Sequence, residues 1–170
     1  GRGRGDPTMQ RVVRTGKFAV TEYRLLAHRG KISAVHFMPH TGRTHQIRVH
    51  ASYGGFPIVG DETYVGGFEN VKKLPAMERP FAHQVLKCFE RHALHAFRIR
   101  FAHPITGAPM DLRAPFPADF EAAIRLFDGL DVLLRGEMPT PETSQPPLPH
   151  PAKARTPRRT ASRVRGQIPS

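Results

Sequence analysis

Thr41-Gly42-Arg43-Thr44-His45-Gln46-Ile47-Arg48-Val49-His50 packs two Arg, two His, one Gln and two Thr into ten residues, with Ile47 as an apolar anchor. The turn residues Pro39-His40-Thr41-Gly42 precede it and Gly54-Gly55 follow it. Thr44 suits an N-cap and the glycines a stop, so the pattern predicts a short helix across His45 to Ser52. On such a helix Arg48 lies one residue after Ile47, and an anchored turn can aim its guanidinium into a cleft. Polar side chains this concentrated beside a glycine turn are costly to bury without partners, which favours a binding site. A solvated helix face is the competing reading of the same composition.

Outward from this stretch, residues 17–28 are rich in β-branched and aromatic side chains. After Arg29-Gly30, Ile32, Ala34, His36 and Met38 alternate with Ser33, Val35 and Phe37, which predicts a hairpin. Residues 54–67 carry five glycines and read as a structured loop. Beyond a polar, proline-punctuated connection, Phe97, Ile99 and Phe101 alternate with Arg98 and Arg100, one face for the core and one wet and basic. After the turn at Pro104-Ile105-Thr106-Gly107, Met110, Leu112 and Ala114 alternate with Asp111 and Arg113, a second hairpin. Pro117-Ala118-Asp119 opens a helix whose apolar positions Phe120, Ala123, Ile124, Phe127, Leu130 and Leu134 follow helical spacing until Gly136.

The chain divides into an extended segment over 1–16, a folded body over 17–136 and a tail over 137–170. The tail holds eight of the 17 prolines and no aromatic residue, a composition that predicts disorder. Its six Lys and Arg against two Glu give it +4 of the formal charge of +12, so the body is basic in its own right at +8. A charge of this size attracts polyanions, and Arg98 and Arg100 on one strand face suit an RNA track better than a bare solvated sheet. One cysteine, Cys88, excludes a disulfide framework. No apolar run approaches the ~20 residues of a membrane span, so the expectation is a cytoplasmic, soluble protein with no membrane partner. Six of the ten histidines fall in close pairs, His36 and His40, His45 and His50, and His92 and His95, which converge poorly on one ion, and no metal is expected.

Residues 41–52 (TGRTHQIRVHAS), the segment Pro57-Ile58-Val59-Gly60-Asp61 with Tyr64, residues 91–107 (RHALHAFRIRFAHPITG) and residues 114–120 (APFPADF) together resemble the C-terminal part of the RluA-type RNA pseudouridine synthases. The resemblance runs in order from about Lys17 to Phe127. Residues 16–26 (GKFAVTEYRLL) and 86–96 (LKCFERHALHA) make it closest to the large-ribosomal-subunit, RluD-like branch. It implies an α+β fold with a mixed, mostly antiparallel sheet, here a partial domain that leaves an exposed strand edge and an uncovered apolar face. It implies isomerisation of uridine to pseudouridine in ribosomal RNA, with no cofactor or metal, by a monomeric enzyme.

The resemblance also distributes roles. Arg48 matches the arginine that ion-pairs with the family's nucleophilic Asp, holding it ionised and oriented. Leu94 matches the apolar residue that packs near a target base turned out of its stack. Arg43, Thr44, His45, Gln46 and His50, with Arg98 and Arg100, would line the cleft or contact RNA. Asp61 and Tyr64 would fix the loop after the helix. The family's nucleophile lies in an Arg-Leu-Asp motif and its base-stacking tyrosine in Tyr-x-Ala, and neither motif occurs in the 170 residues. The expectation is therefore a fragment, inactive by itself, with Arg48 lacking its carboxylate. A non-catalytic RNA-binding remnant of the same fold is the alternative.

Overall fold

The computed structural model describes residues 9–12, 17–137 and 162–168. It is a mixed α/β structure with small antiparallel sheets. The first predicted hairpin forms: β1 (Lys17–Arg29) pairs antiparallel with β2 (Ile32–Pro39), in register from Thr21 opposite Pro39 to Arg29 opposite Ile32. Gly30 turns the chain at φ 57°, a left-handed value that costs glycine nothing. A bulge between Leu25 and Ala27 makes Leu26 the extra residue, and Leu26 is buried.

Leu26 joins Phe81, Val85, Ile124, Phe127, Leu130 and Leu133 in the main core cluster. Phe81 and Val85 come from α3 (Arg79–Lys87), preceded by the short helix α2 (Phe68–Val71); both lie where the sequence reads only as a polar connection. Phe81, Ala82 and Val85 do line one face of α3 at helical spacing, but over nine residues, shorter than the window in which such a period is read. The helix expected to run to Gly136 stops early: α4 covers Ala118–Ile124, Gly129 adopts φ 72°, and a 3-10 turn spans Leu130–Arg135. The buried residues Phe127, Leu130 and Leu133 are three apart, which is the 3-10 repeat.

Two further expectations are corrected. The second hairpin, β3 (Arg98–Ala102) with β4 (Pro109–Arg113), forms as predicted, but its apolar residues do not enter a core. Ile99 is 59%, Phe101 40% and Leu112 49% exposed, because among the described residues no second layer covers this two-stranded sheet. Within the tail expected to be disordered, β5 (Ser162–Ile168) pairs antiparallel with β1, from Lys17 opposite Ile168 to Tyr23 opposite Ser162. Main-chain pairing at an open strand edge needs no apolar composition, and this stretch is free of proline. The rest of the tail and most of the N-terminal segment lie outside the described residues.

The contrast between the two apolar groups is measurable by urea unfolding. Phe127→Ala should cost ~3–5 kcal/mol, the usual loss for a buried Phe. Ile99→Ser should change stability by less than ~0.5 kcal/mol, as at an ordinary surface position.

Candidate functional site

The stretch Thr41 to His50 is bolted to β1 by a buried carboxamide. Gln46 Oε1 accepts from Thr41 Oγ1 at 2.7 Å and from the Arg43 amide at 3.0 Å, while Nε2 donates to Val20 O and to Thr21 Oγ1, each at 3.0 Å. All four hydrogen-bonding positions of that side chain are therefore used. Thr41 Oγ1 also accepts from the Val20 amide at 3.0 Å, and His50 Nδ1 lies 2.9 Å from Thr21 Oγ1. The helix α1 (Gln46–Tyr53) consequently starts one residue later than predicted, with His45 in the left-handed conformation at φ 53° as its cap. Thr44 is exposed and does not cap.

This geometry corrects the RNA-contact roles of Gln46 and His50. Both are buried, and their polar atoms face β1 because positions i and i+4 share one side of a helix. They hold the motif in place from beneath. Burial also lowers the pKa of His50, which keeps its ring neutral. The apolar anchor is Val49, which is buried, whereas Ile47 is half-buried.

Arg48 and His45 project from the opposite side, toward the loop after the helix. Arg48 Nε donates to Asp61 Oδ2 at 2.7 Å and Nη2 to Oδ1 at 2.8 Å, a bidentate pair in which the arginine side chain is 15% and the aspartate 0% exposed. Arg48 therefore has a carboxylate within its own chain, which overturns the expectation of an absent partner. Asp61 Oδ1 also accepts from the Tyr64 amide at 3.2 Å, closing a 3-10 turn over Glu62–Tyr64. The Arg48 guanidinium lies over the Tyr64 ring at 4.8 Å, and the Tyr64 hydroxyl meets His45 Nδ1 at 3.1 Å and accepts from the Gln10 amide at 2.8 Å. Burial alone would raise the Asp61 pKa, but hydrogen bonds from Arg48 and Tyr64, with the Arg48 charge, bring it below the ordinary carboxylate value.

Glycine contacts bring a third segment to the pair. A Cβ at Gly60, which has φ 75°, would stand 2.5 Å from Arg91 O, and one at Gly66 would stand 1.7 Å from Ile58 O. The loop thus packs main chain against main chain, and the Ala93 amide donates to Val59 O at 2.7 Å. This strap carries His92, which lies within electrostatic reach of Arg48 and Asp61, and the half-buried Leu94; Arg91 secures it through an ion pair to Asp119 at 2.8 Å. Burial and then the Arg48 charge lower the His92 pKa, against an opposing pull from Asp61. His92 and Thr21 are site residues that sequence reasoning missed. His92 sits two positions before Leu94 in a segment already singled out, whereas a threonine in a strand carries no signal.

The remaining expected residues are peripheral. Arg43 is exposed, its Nε donating to Phe18 O at 3.4 Å. Arg98 and Arg100 are exposed on β3, far from neutral only in part, since Arg98 makes a bidentate pair with Asp111. Burial and the Asp119 charge push the Cys88 thiol up, which argues against a nucleophile. Among the described residues, no group of three or more His, Cys, Asp or Glu is placed to hold a metal ion.

The RNA pseudouridylate synthase family profile matches residues 4–53. The chain is 39% identical over 122 residues to ribosomal large subunit pseudouridine synthase D of Vibrio parahaemolyticus, covering 72% of this chain and 36% of that protein. The protein of the same name from Pasteurella multocida is 45% identical over 105 residues, 62% of this chain and 31% of that one. An uncharacterized RNA pseudouridine synthase of Chlorobaculum parvum is 43% identical over 110 residues, 64% and 33% of the two chains. The chain spans about a third of the length of the curated relatives it matches.

Removing Arg48 strands a buried carboxylate, so Arg48→Ala should cost ~3–5 kcal/mol in urea unfolding, and adding Asp61→Asn should recover much of it. The folded pKa of Asp61 is depressed, so the pair's contribution is complete above the unfolded carboxylate value of about 3.9 and disappears as pH falls below it. The stability gap between the parent chain and Asp61→Asn should therefore be constant near neutrality and close in acid.

Proposed function

We infer, since over about two thirds of its length this chain is a relative of the RNA pseudouridine synthases, that it carries the C-terminal part of the catalytic domain of an enzyme that isomerises uridine in large-subunit ribosomal RNA. The observation that carries the reading is the buried Arg48–Asp61 pair, formed by the two segments in which the resemblance is densest. The reaction loses no atoms: the carbon–nitrogen glycosidic bond breaks, the uracil turns, and a carbon–carbon bond forms to the same sugar.

In this reading Asp61 acts as a positioning residue. It holds the guanidinium plane of Arg48 with two hydrogen bonds, so that the 15% of the side chain left exposed stands at a fixed place, within electrostatic reach of His92. A fixed cation there favours the ionised form of a nucleophilic carboxylate brought to it. Leu94 offers an apolar surface to an extruded base, and a neutral His92 adds no competing charge. Arg43, Thr44 and Arg100 are exposed and suit contacts with RNA phosphates, in a monomeric protein acting in the cytoplasm.

The second reading, an RNA-binding remnant, is favoured by one sequence fact, the lack of any Arg-Leu-Asp among the 170 residues. Both readings give the same expectation for this chain by itself: salt-dependent binding of ribosomal RNA, with log affinity falling linearly against log salt, and no pseudouridine by chemical mapping. Turnover by the 170 residues alone would defeat the assignment of the nucleophile to another segment. The readings part when an Arg-Leu-Asp-bearing segment of a relative is supplied in trans, where restored turnover that Arg48→Ala abolishes supports the enzyme.

A further inference from the structure

Away from the Arg48 site, β1 and β2 hold a second cationic group. The register sets Arg24 directly opposite His36, and such cross-strand partners lie about 4.5–5.5 Å apart between Cβ atoms. Both residues are half-buried, and Arg24 Nε and His36 Nδ1 are fully buried with no hydrogen-bond partner among the described residues. A buried donor left without an acceptor bears the whole cost of leaving water. Arg24 Nε is such a donor, and His36 Nδ1 becomes one when the ring takes up a second proton, so an acceptor that the described residues do not supply would serve both.

The surroundings say what kind of acceptor fits. Burial, then the Arg24 charge, then the Arg98 charge hold His36 below its ordinary pKa, so the ring sits in a field of positive charge. The nearby acids are committed: Asp111 is bidentate with Arg98, and Glu22, two residues along β1, lies 3.3 Å from His40 Nε2. A cavity of about 490 Å³, lined by Arg100, Phe101, Met110 and Asp111 among others, continues from the Arg98–Asp111 pair along the outer hairpin. An anion with several acceptor oxygens would satisfy the stranded nitrogens.

We propose that Arg24 and His36 form a subsite for one phosphodiester group of an RNA strand. The assignment rests on the RNA reading above and adds two residues to it that nothing else employs. Arg24 reaches the group by turning its flexible side chain outward, and His36 takes up a proton as the anion arrives, because the anion offsets the two arginine charges that suppress protonation in the free chain. Binding at this subsite therefore strengthens as pH falls.

The test is titration of the full chain with a short single-stranded RNA, followed by fluorescence anisotropy and by NMR of the Arg24 Nε and His36 ring signals, with inorganic phosphate as a separate arm. Arg24→Gln should weaken RNA binding about 3–10-fold and lower the salt slope by about one, while Arg24→Lys keeps part of the affinity. Neither variant should lower the melting temperature, since among the described residues Arg24 Nε has no partner to lose. His36→Gln should remove the gain in affinity between pH about 8 and about 6. Unchanged affinity, slope and pH response in these variants would overturn the subsite and leave RNA binding intact, as would a marked fall in melting temperature for both Arg24 variants. Signals moved by phosphate and not by RNA would assign the site to a free anion instead. A parent chain that binds no RNA would overturn the functional reading and this one with it.

Discussion

A carboxylate without exposed surface has to be paired, and here Asp61 is paired to Arg48 by two hydrogen bonds in one plane. The pair joins three separate stretches of chain. Arg48 belongs to α1, Asp61 opens the 3-10 turn that carries Tyr64, and the strap with His92 packs on the backbone of Gly60 next door. Either partner alone would be a buried or half-buried charge with a large desolvation cost, so the three stretches are held together or not at all.

The ten-residue motif thus divides its polar side chains between two tasks by helical geometry. Gln46 and His50, four apart, turn inward: Gln46 Nε2 and His50 Nδ1 meet β1 at Val20 and Thr21, while Gln46 Oε1 ties down the turn at Thr41 and Arg43. His45 and Arg48, three apart, face the loop and gather around Tyr64. Only Arg43 and Thr44 are left to solvent. A cluster that looks like one binding surface in sequence is an anchor on one side and a charged site on the other.

The second hairpin illustrates the opposite relation between pattern and structure. Alternation of Ile99 and Phe101 with Arg98 and Arg100 specifies a strand with an apolar and a basic face, and both faces exist. What covers the apolar face is a property of other layers, and among the described residues none does. The pairing of β5 with β1 has the same character, since it depends on an available strand edge and not on the composition of the segment that fills it.

Local periodicity and turn chemistry were sufficient for the two hairpins and the position of α1 to within a residue, because these follow from nearest neighbours along the chain. The helix near Gly129 misled for an equally local reason: a spacing of three suits a 3-10 turn as well as one face of an α-helix. Which carboxylate meets Arg48, and which polar residues of the motif are sealed beneath it, were decided by tertiary structure alone. Each is a matter of which charges are taken out of water together, and burial is a property of the folded layers that no single stretch of sequence contains.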